Sequence, residues 1–261
     1  MSDKRNNCII LLVDTPVPEN TNTELLTALG PERAARVNCD LLKNAYKLAK
    51  GFADAILILS FEKSQTHPDL TWLDGEDPGF LEAEVRNRKN RIAGAARLAF
   101  NTGVKKVLLL NHLTPDIKEE ALSQAFDSVN EKTIALGLNQ DASVYIAGLT
   151  QNNLKLLENI SPFSPKAGEE LAEKAKKNKL SVFPLTEAYA VKNEETLNKW
   201  LGIPAPAPAP SAQAPYPAAE PAPQSASQTA QRRHEGKRHH RHGPAPAMTQ
   251  LPLPDTGPKS V

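Results

Sequence analysis

The stretch Cys8–Gly30, CIILLVDTPVPENTNTELLTALG, decides the fold class of this chain. Its first six residues are all apolar, which is typical of a strand buried on both faces of a sheet. Asp14 follows, and Pro16 and Pro18 then end the strand, because proline cannot donate to a central ladder. Ligands of open α/β sheets bind outside the carboxyl ends of the strands, so we expect the polar segment 19–24 to border a binding site.

The rest of the first 203 residues alternates between strand and helix patterns, which predicts a doubly wound α/β domain. We predict strands at 54–60, 70–73, 104–110, 132–138, 144–149 and 180–185, and helices at 31–51, 80–101, 115–129, 166–178 and 194–201. Thr114 is expected to cap the helix that starts at Pro115. The helix 80–101 mixes acidic and basic side chains, Arg91 among them, which favours a solvated face over a phosphate contact.

Composition limits the partners and the compartment. The formal net charge of +1 favours neither nucleic acid nor a membrane as the main partner. The apolar run near the start is too short for a signal-peptide core or a membrane span, so we expect a cytoplasmic protein. In a reducing compartment Cys8 and Cys39 are expected to be buried thiols rather than a disulfide, and neither has metal-site spacing.

The opening motif resembles that of a bacterial family of small glycosyltransferase-A-like proteins, which have the fold of nucleotide-diphospho-sugar transferases. Members typically read Lys-Ala-Pro-Val-Pro-Gly, then Lys-Thr-Arg-Leu, then Gly. The matching positions here are Pro16, Val17, Pro18, Thr23, Leu25 and Gly30. The charges differ, because Asp14 stands for the first Lys, Glu19 for Gly, Asn22 for the second Lys and Glu24 for Arg. The resemblance covers residues 8–201 and implies a three-layer α/β/α sandwich.

Two further family motifs are altered. Members read Gly-Ser-Asp-Cys-Pro-Gly-Leu-Thr-Pro where this chain keeps only Leu-Thr-Pro, preceded by Asn111 and His112. In this fold the missing Asp usually holds a divalent cation with the donor diphosphate, and neither an amide nor an imidazole replaces a carboxylate well for Mg²⁺. The family's acidic Asp-Val-Asp-Thr-Pro-Glu-Asp has become 190–195, with Lys192 inside it. Asp141 is the acidic residue left at a matching site position.

The resemblance therefore implies a nucleotide or substrate pocket whose charges are changed. By family position the pocket residues are Asp14, Pro16, Pro18, Asn22, Thr23, Glu24, Asn111 and Asp141. Carboxylates repel a diphosphate by about 1 kcal/mol per pair at 4 Å in water, whereas a diphosphate site needs cationic or N–H donors. We expect a catalytically degenerate relative with a binding or regulatory role, no resident metal or cofactor, and an unidentified small molecule or protein as its ligand.

The alternative is an active glycosyl- or nucleotidyltransferase that uses a nucleotide-activated sugar with an altered donor or metal requirement. Mg²⁺ or Mn²⁺ would then be needed, and Asp141 and His112 would be the catalytic candidates. Both residues also have structural explanations, since an Asp is common in turns and a lone His at a strand end is usually structural.

Residues 204–261 differ in composition and hold 13 of the 22 prolines. Their Ala-Pro repeat favours extended polyproline II and cannot bury a core, so we predict a domain 1–203 followed by a disordered tail. The tail contains a basic, histidine-rich patch, RRHEGKRHHRH at 232–242. Its fixed positive charges belong to Arg232, Arg233, Lys237, Arg238 and Arg241. They predict weak contact with a polyanion, and the alternative is a plain solvated tail.

Overall fold

The computed structural model describes residues 4–14, 23–61, 70–76, 81–82, 91–161 and 163–204 of the protein. Pro16, Pro18, Asn22 and the tail, including its basic patch, lie outside the described residues. The predictions made for them, and the domain boundary at residue 203, stay predictions.

One mixed sheet forms the centre of the fold. The described strands are β1 Asn7–Val13, β2 Ile56–Phe61, β3 Leu81–Glu82, β4 Lys106–Leu110, β5 Thr133–Leu138, β6 Val144–Thr150 and β7 Ser181–Pro184. Their order across the sheet is β3-β2-β1-β4-β6-β5-β7. All pairings are parallel except those of β6, which runs antiparallel to both β4 and β5.

Helices cover both faces of this sheet. The described α-helices are α1 Thr23–Leu29, α2 Pro31–Gly51, α3 Arg91–Asn101, α4 Glu119–Ser128, α5 Ala167–Lys177 and α6 Glu194–Trp200. Short 3₁₀ helices lie at Lys4–Asn6 and Gln151–Leu157. The three-layer α/β/α sandwich expected from the sequence is confirmed. None of the helices described is both long and apolar enough to cross a membrane.

Two hydrophobic cores explain why β1 is apolar at successive positions. Ile10 and its alternate neighbours pack with α3 and α5 on one face, and Leu11 and its alternate neighbours pack with α2 and α4 on the other. A third cluster joins Leu25 of α1, Leu41 of α2 and Leu197 of α6 beside the sheet. A strand between two helical layers needs apolar side chains in both directions, which is the pattern that the sequence shows.

The sequence predicted most elements to within two residues, but two segments were assigned wrongly. Residues 70–73 form turns and not a strand. Tyr46 and Lys50 of α2 donate hydrogen bonds to the following Asp74 carboxylate, at 2.6 and 2.5 Å, and hold these turns against the helix. The helix predicted from residue 80 is wrong at its start, because Leu81–Glu82 pair with β2 as a short strand, and the described helix spans Arg91–Asn101.

The predicted N-cap of the next helix is also wrong. Helix α4 begins at Glu119 and not at Pro115. Thr114 is buried, and its hydroxyl donates to Asn139 Oδ1 at 2.9 Å instead of accepting from the helix N-terminus. Both cysteines are free thiols, as predicted, although only Cys8 is fully buried and Cys39 is half-buried.

Candidate active site

The carboxyl edge of the parallel strands gathers most of the described candidate residues. Asp14 follows β1, and Asn111 and His112 follow β4. Asp141 lies in the turn between β5 and β6, which opens at the same edge because β5 is parallel to β4. The structure therefore brings together side chains that are far apart in the sequence, at the place where ligands of open α/β sheets bind.

Arg91, the first residue of α3, joins the ends of β1 and β2. Its guanidinium donates to Asp14 Oδ1 at 2.5 Å, to the Val13 carbonyl at 2.8 Å, and to both the hydroxyl and the carbonyl of Ser60. Only 11% of its side chain is exposed, and 28% of the side chain of Asp14. The expectation of a solvated side chain is therefore wrong for Arg91, because its planar guanidinium donates to four oxygen atoms at the ends of two strands.

The side chain of Asn111 forms its hydrogen bonds with the surrounding backbone. Its side chain is buried, with Nδ2 donating to the Val144 carbonyl at 3.1 Å and Oδ1 accepting from the Leu113 N–H at 2.9 Å. This amide ties the end of β4 to the start of β6. A carboxylate could accept the second bond but could not donate the first, so the position is built for an amide.

His112 is buried, with 2% of its surface exposed. Its Nε2 lies 2.9 Å from Asn38 Oδ1, and its ring meets the Phe163 ring edge-on. Burial lowers the pKa of His112, and the nearby Asp14 carboxylate and Leu12 backbone oppose this only in part. The imidazole is therefore neutral at pH 7.

This buried imidazole predicts a pH-dependent contribution to stability. The folded state binds a proton on His112 less readily than the unfolded chain does, so stability is lost as pH falls below about 6.5. Compared with His112→Gln, which keeps an N–H donor for Asn38, we expect the wild-type protein to lose additional stability as pH falls, by at most about 1.4 kcal/mol per pH unit. Urea denaturation of both proteins between pH 7.5 and pH 5 measures the difference, and parallel curves would contradict the prediction.

Asp141 is also paired within the site. Its Oδ2 accepts a short hydrogen bond from Lys192 Nζ, and its Oδ1 accepts from the N–H and hydroxyl of Ser143 at 3.1 and 2.6 Å. Burial alone would raise the pKa of Asp141, but the bonds from Lys192 and Ser143 outweigh it and hold the pKa below its usual range. Lys192 Nζ also donates to the Phe163 carbonyl at 3.2 Å.

A buried hydrogen-bond chain connects these groups to β4. Asn139 accepts from the Thr114 hydroxyl and donates to Ser143 Oγ at 3.1 Å, and Ser143 in turn donates to Asp141. Each member has a partner, so the chain fixes the turn that carries Asp141.

The opening motif is only partly described. Thr23 is the first residue of α1, and Glu24 is the second and is solvent-exposed. Of the eight pocket positions inferred from the family, the described structure brings Asp14, Asn111 and Asp141 to the strand edge.

The donor set does not fit a divalent cation. Among the described residues no group of three or more His, Cys, Asp or Glu side chains could hold a metal ion. Asp14 is paired with Arg91, Asp141 with Lys192, and the Asn111 oxygen with a backbone N–H. Mg²⁺ requires oxygen ligands that are not already neutralised by protein cations, so these side chains offer it no coordination site.

Sequence reasoning missed the two cations and Asn38. Arg91 and Lys192 lie 77 and 51 residues from the carboxylates they contact, and Asn38 lies 74 residues from His112. One signal was present for Lys192, which stands where the related family has an acidic residue.

Comparisons with known proteins agree with this architecture. A protein of Desulfovibrio desulfuricans G20, described as a nucleotide-diphospho-sugar transferase, superimposes with a TM-score of 0.62 at 21% identity, covering 72% of this chain and 83% of its own. A nucleotidyl transferase of Methanothermobacter gives a TM-score of 0.51 at 8% identity, covering 74% of this chain and 95% of its own. Among curated proteins none matches the sequence.

These findings define the fold. The described part of the chain has the fold of the nucleotide-diphospho-sugar transferases, with a glycosyltransferase-A-like sheet. The family described as "Uncharacterized protein conserved in bacteria (DUF2064)" matches residues 48–163, and the family resemblance inferred from the sequence is confirmed.

Proposed function

We propose that this protein is a catalytically degenerate relative of the nucleotide-diphospho-sugar transferases with a binding or regulatory role. The observation that carries the proposal is the pairing of the Asp14 and Asp141 carboxylates with cations of the protein itself. Arg91 and Lys192 are the partner cations, and the position after β4 holds an amide whose nitrogen and oxygen are each hydrogen-bonded to the backbone.

Electrostatics support this proposal. Two carboxylates, two cations and a neutral imidazole give the described site a net charge of zero. A nucleotide diphosphate brings several negative charges into a partly buried region, where unpaired charges are costly. The two cations described at this site, Arg91 and Lys192, are already engaged by Asp14 and Asp141 and are therefore not free to compensate those charges.

We expect no useful affinity for nucleotide-activated sugars. Isothermal titration calorimetry with UDP- and GDP-sugars, with and without Mg²⁺ or Mn²⁺, should detect no binding tighter than about 100 μM, or about 5.5 kcal/mol. A metal-dependent dissociation constant below that value would overturn the proposal and favour the active-transferase alternative.

That alternative has one group in its favour. Asp141 keeps an ionised carboxylate at the strand edge, although Lys192 is its partner. If the titration succeeds, Asp141→Asn is expected to abolish the metal dependence, whereas Asp116→Asn, on the neighbouring loop, is the matched control.

We propose an unidentified small molecule or protein as the ligand of this site. The neutral described site is suited to a small molecule or protein that carries little net charge. We also propose a cytoplasmic location, and the free thiols of Cys8 and Cys39 suit such a reducing compartment.

The basic tail patch is proposed as a separate, weak polyanion contact. Five fixed positive charges lie within ten residues, and four histidines add charge as pH falls toward about 6.5. Retention on heparin should increase from pH 8 to pH 6, decrease steeply with salt, and be lost after truncation at Ile203.

The truncated protein itself is the control for this experiment. Its thermal midpoint should equal that of the full chain, since the removed segment is poor in apolar side chains. Equal retention of both proteins at low salt would leave the tail without a polyanion role, and a midpoint several degrees lower would show that the tail packs on the domain.

A further inference from the structure

Lys192 lies among oxygen atoms of the kind that bind a small hard cation. Its ammonium contacts the Asp141 carboxylate and the Phe163 carbonyl, and 16% of its side chain is exposed. The other oxygen of Asp141 is held by Ser143, so the orientation of the carboxylate is fixed before any cation is considered. Hard cations are coordinated by carboxylate and carbonyl oxygens, and water molecules complete their coordination.

The backbone around Lys192 fixes where this ammonium lies. The Val191 N–H donates to the Leu113 carbonyl at 2.8 Å, which joins the segment to the loop after β4. The Lys192 N–H donates to Thr196 Oγ1 at 3.0 Å, and Asn193 forms a capping box with Thr196 at the start of α6. Both neighbours of the side chain are thus anchored, and the ammonium is placed by the fold.

We propose that Asp141 Oδ2 and the Phe163 carbonyl form a cation site, and that Lys192 is its resident cation in place of a divalent metal. The inference deepens the proposed function, because it explains how a pocket of this fold holds an ionised carboxylate without a metal. An ammonium has three N–H donors, of which two meet these oxygens. No described residue accepts the third, which leaves one donor for an oxygen of a bound ligand.

Lys199 provides the matched contrast. It lies on the neighbouring helix α6, and its ammonium is 4.0 Å from the centre of the Tyr189 ring and contacts no carboxylate of the described residues. A change of charge at Lys199 alters the same region of the protein without opening the proposed cation site.

The test is Mn²⁺ binding, measured by the loss of the free-ion electron paramagnetic resonance signal. Lys192→Asp removes the resident cation and adds a carboxylate, and we expect it to bind Mn²⁺ about tenfold or more tightly than the wild-type protein and Lys199→Asp do. Its thermal midpoint should rise with millimolar Mn²⁺, while that of the wild type should not. Adding Asp141→Asn to Lys192→Asp should remove the gain.

Lys192→Ala serves as a second test in case Lys192→Asp does not fold. It frees the same Asp141 and Phe163 oxygens without adding a negative charge. It should gain Mn²⁺ affinity to a smaller extent. A folded Lys192 variant that gains nothing, a gain of equal size in Lys199→Asp, or a gain that survives Asp141→Asn would each overturn the inference.

The outcome is separable from that of the proposed function. Nucleotide-sugar binding by the wild-type protein would contradict catalytic degeneracy, yet metal-free binding that disappears in Lys192→Ala would still support a resident cation. Conversely, absence of a Mn²⁺ gain in the variants would leave the nucleotide titration unaffected.

Discussion

Replacing Arg91 with methionine is expected to lower the free energy of unfolding by about 3 kcal/mol. Methionine preserves much of the side-chain length but removes every donor to Asp14, Val13 and Ser60. Breaking a buried ion pair by removing one partner leaves an uncompensated charge, and the partial exposure of Asp14 places the effect at the low end of the usual range. Urea denaturation followed by circular dichroism measures the change.

Two variants separate the charge from the packing. Arg97→Met, at an exposed position of the same helix, should change stability by less than about 0.5 kcal/mol. Adding Asp14→Asn to Arg91→Met should recover about 1 kcal/mol, because it removes the unpaired carboxylate. An Arg91→Met protein as stable as the wild type would show that Arg91 does not join the two strand ends in solution.

The elements that could be predicted from sequence are those set by local pattern. β1 and β4 are predicted as buried strands because each contains an uninterrupted apolar run, at 8–13 and 107–110, and α2 is bounded by Pro31 and by Gly51. These signals act within a few residues, where composition and chain geometry decide the structure.

The failures occur where a distant partner overrides a local rule. Thr114 has the right type and position for a helix cap, yet a buried bond to Asn139, 25 residues away, takes its hydroxyl. Arg91 was assigned to a solvated face because its neighbours in sequence are charged, whereas its oxygen partners come from β1 and β2. Polar pairing of this kind depends on tertiary structure, which periodicity does not encode.

The largest test of the candidate site itself is Asn111→Asp, which restores the acidic residue of the related family. We expect it to destabilise the protein by about 3 kcal/mol at pH 7 rather than create a metal site. Asn111 is 1% exposed, and its amide N–H₂ donates to the Val144 carbonyl. A carboxylate there would place two acceptors together and bury a charge without a partner.

The pH dependence and the response to metal decide between the two outcomes. Protonation lets the new carboxyl group donate to the Val144 carbonyl, so the folded state holds that proton more tightly than the unfolded chain does. The difference in free energy of unfolding between the variant and the wild type should therefore shrink as pH falls toward 5. Gln124→Glu, an amide-to-acid change at an exposed position of α4, should change stability by less than about 0.5 kcal/mol at either pH. A stable Asn111→Asp protein whose thermal midpoint rises with Mn²⁺ would mean that the strand edge still has the geometry of a metal site. A destabilised protein that Mn²⁺ does not rescue would mean that the fold requires the amide at this position.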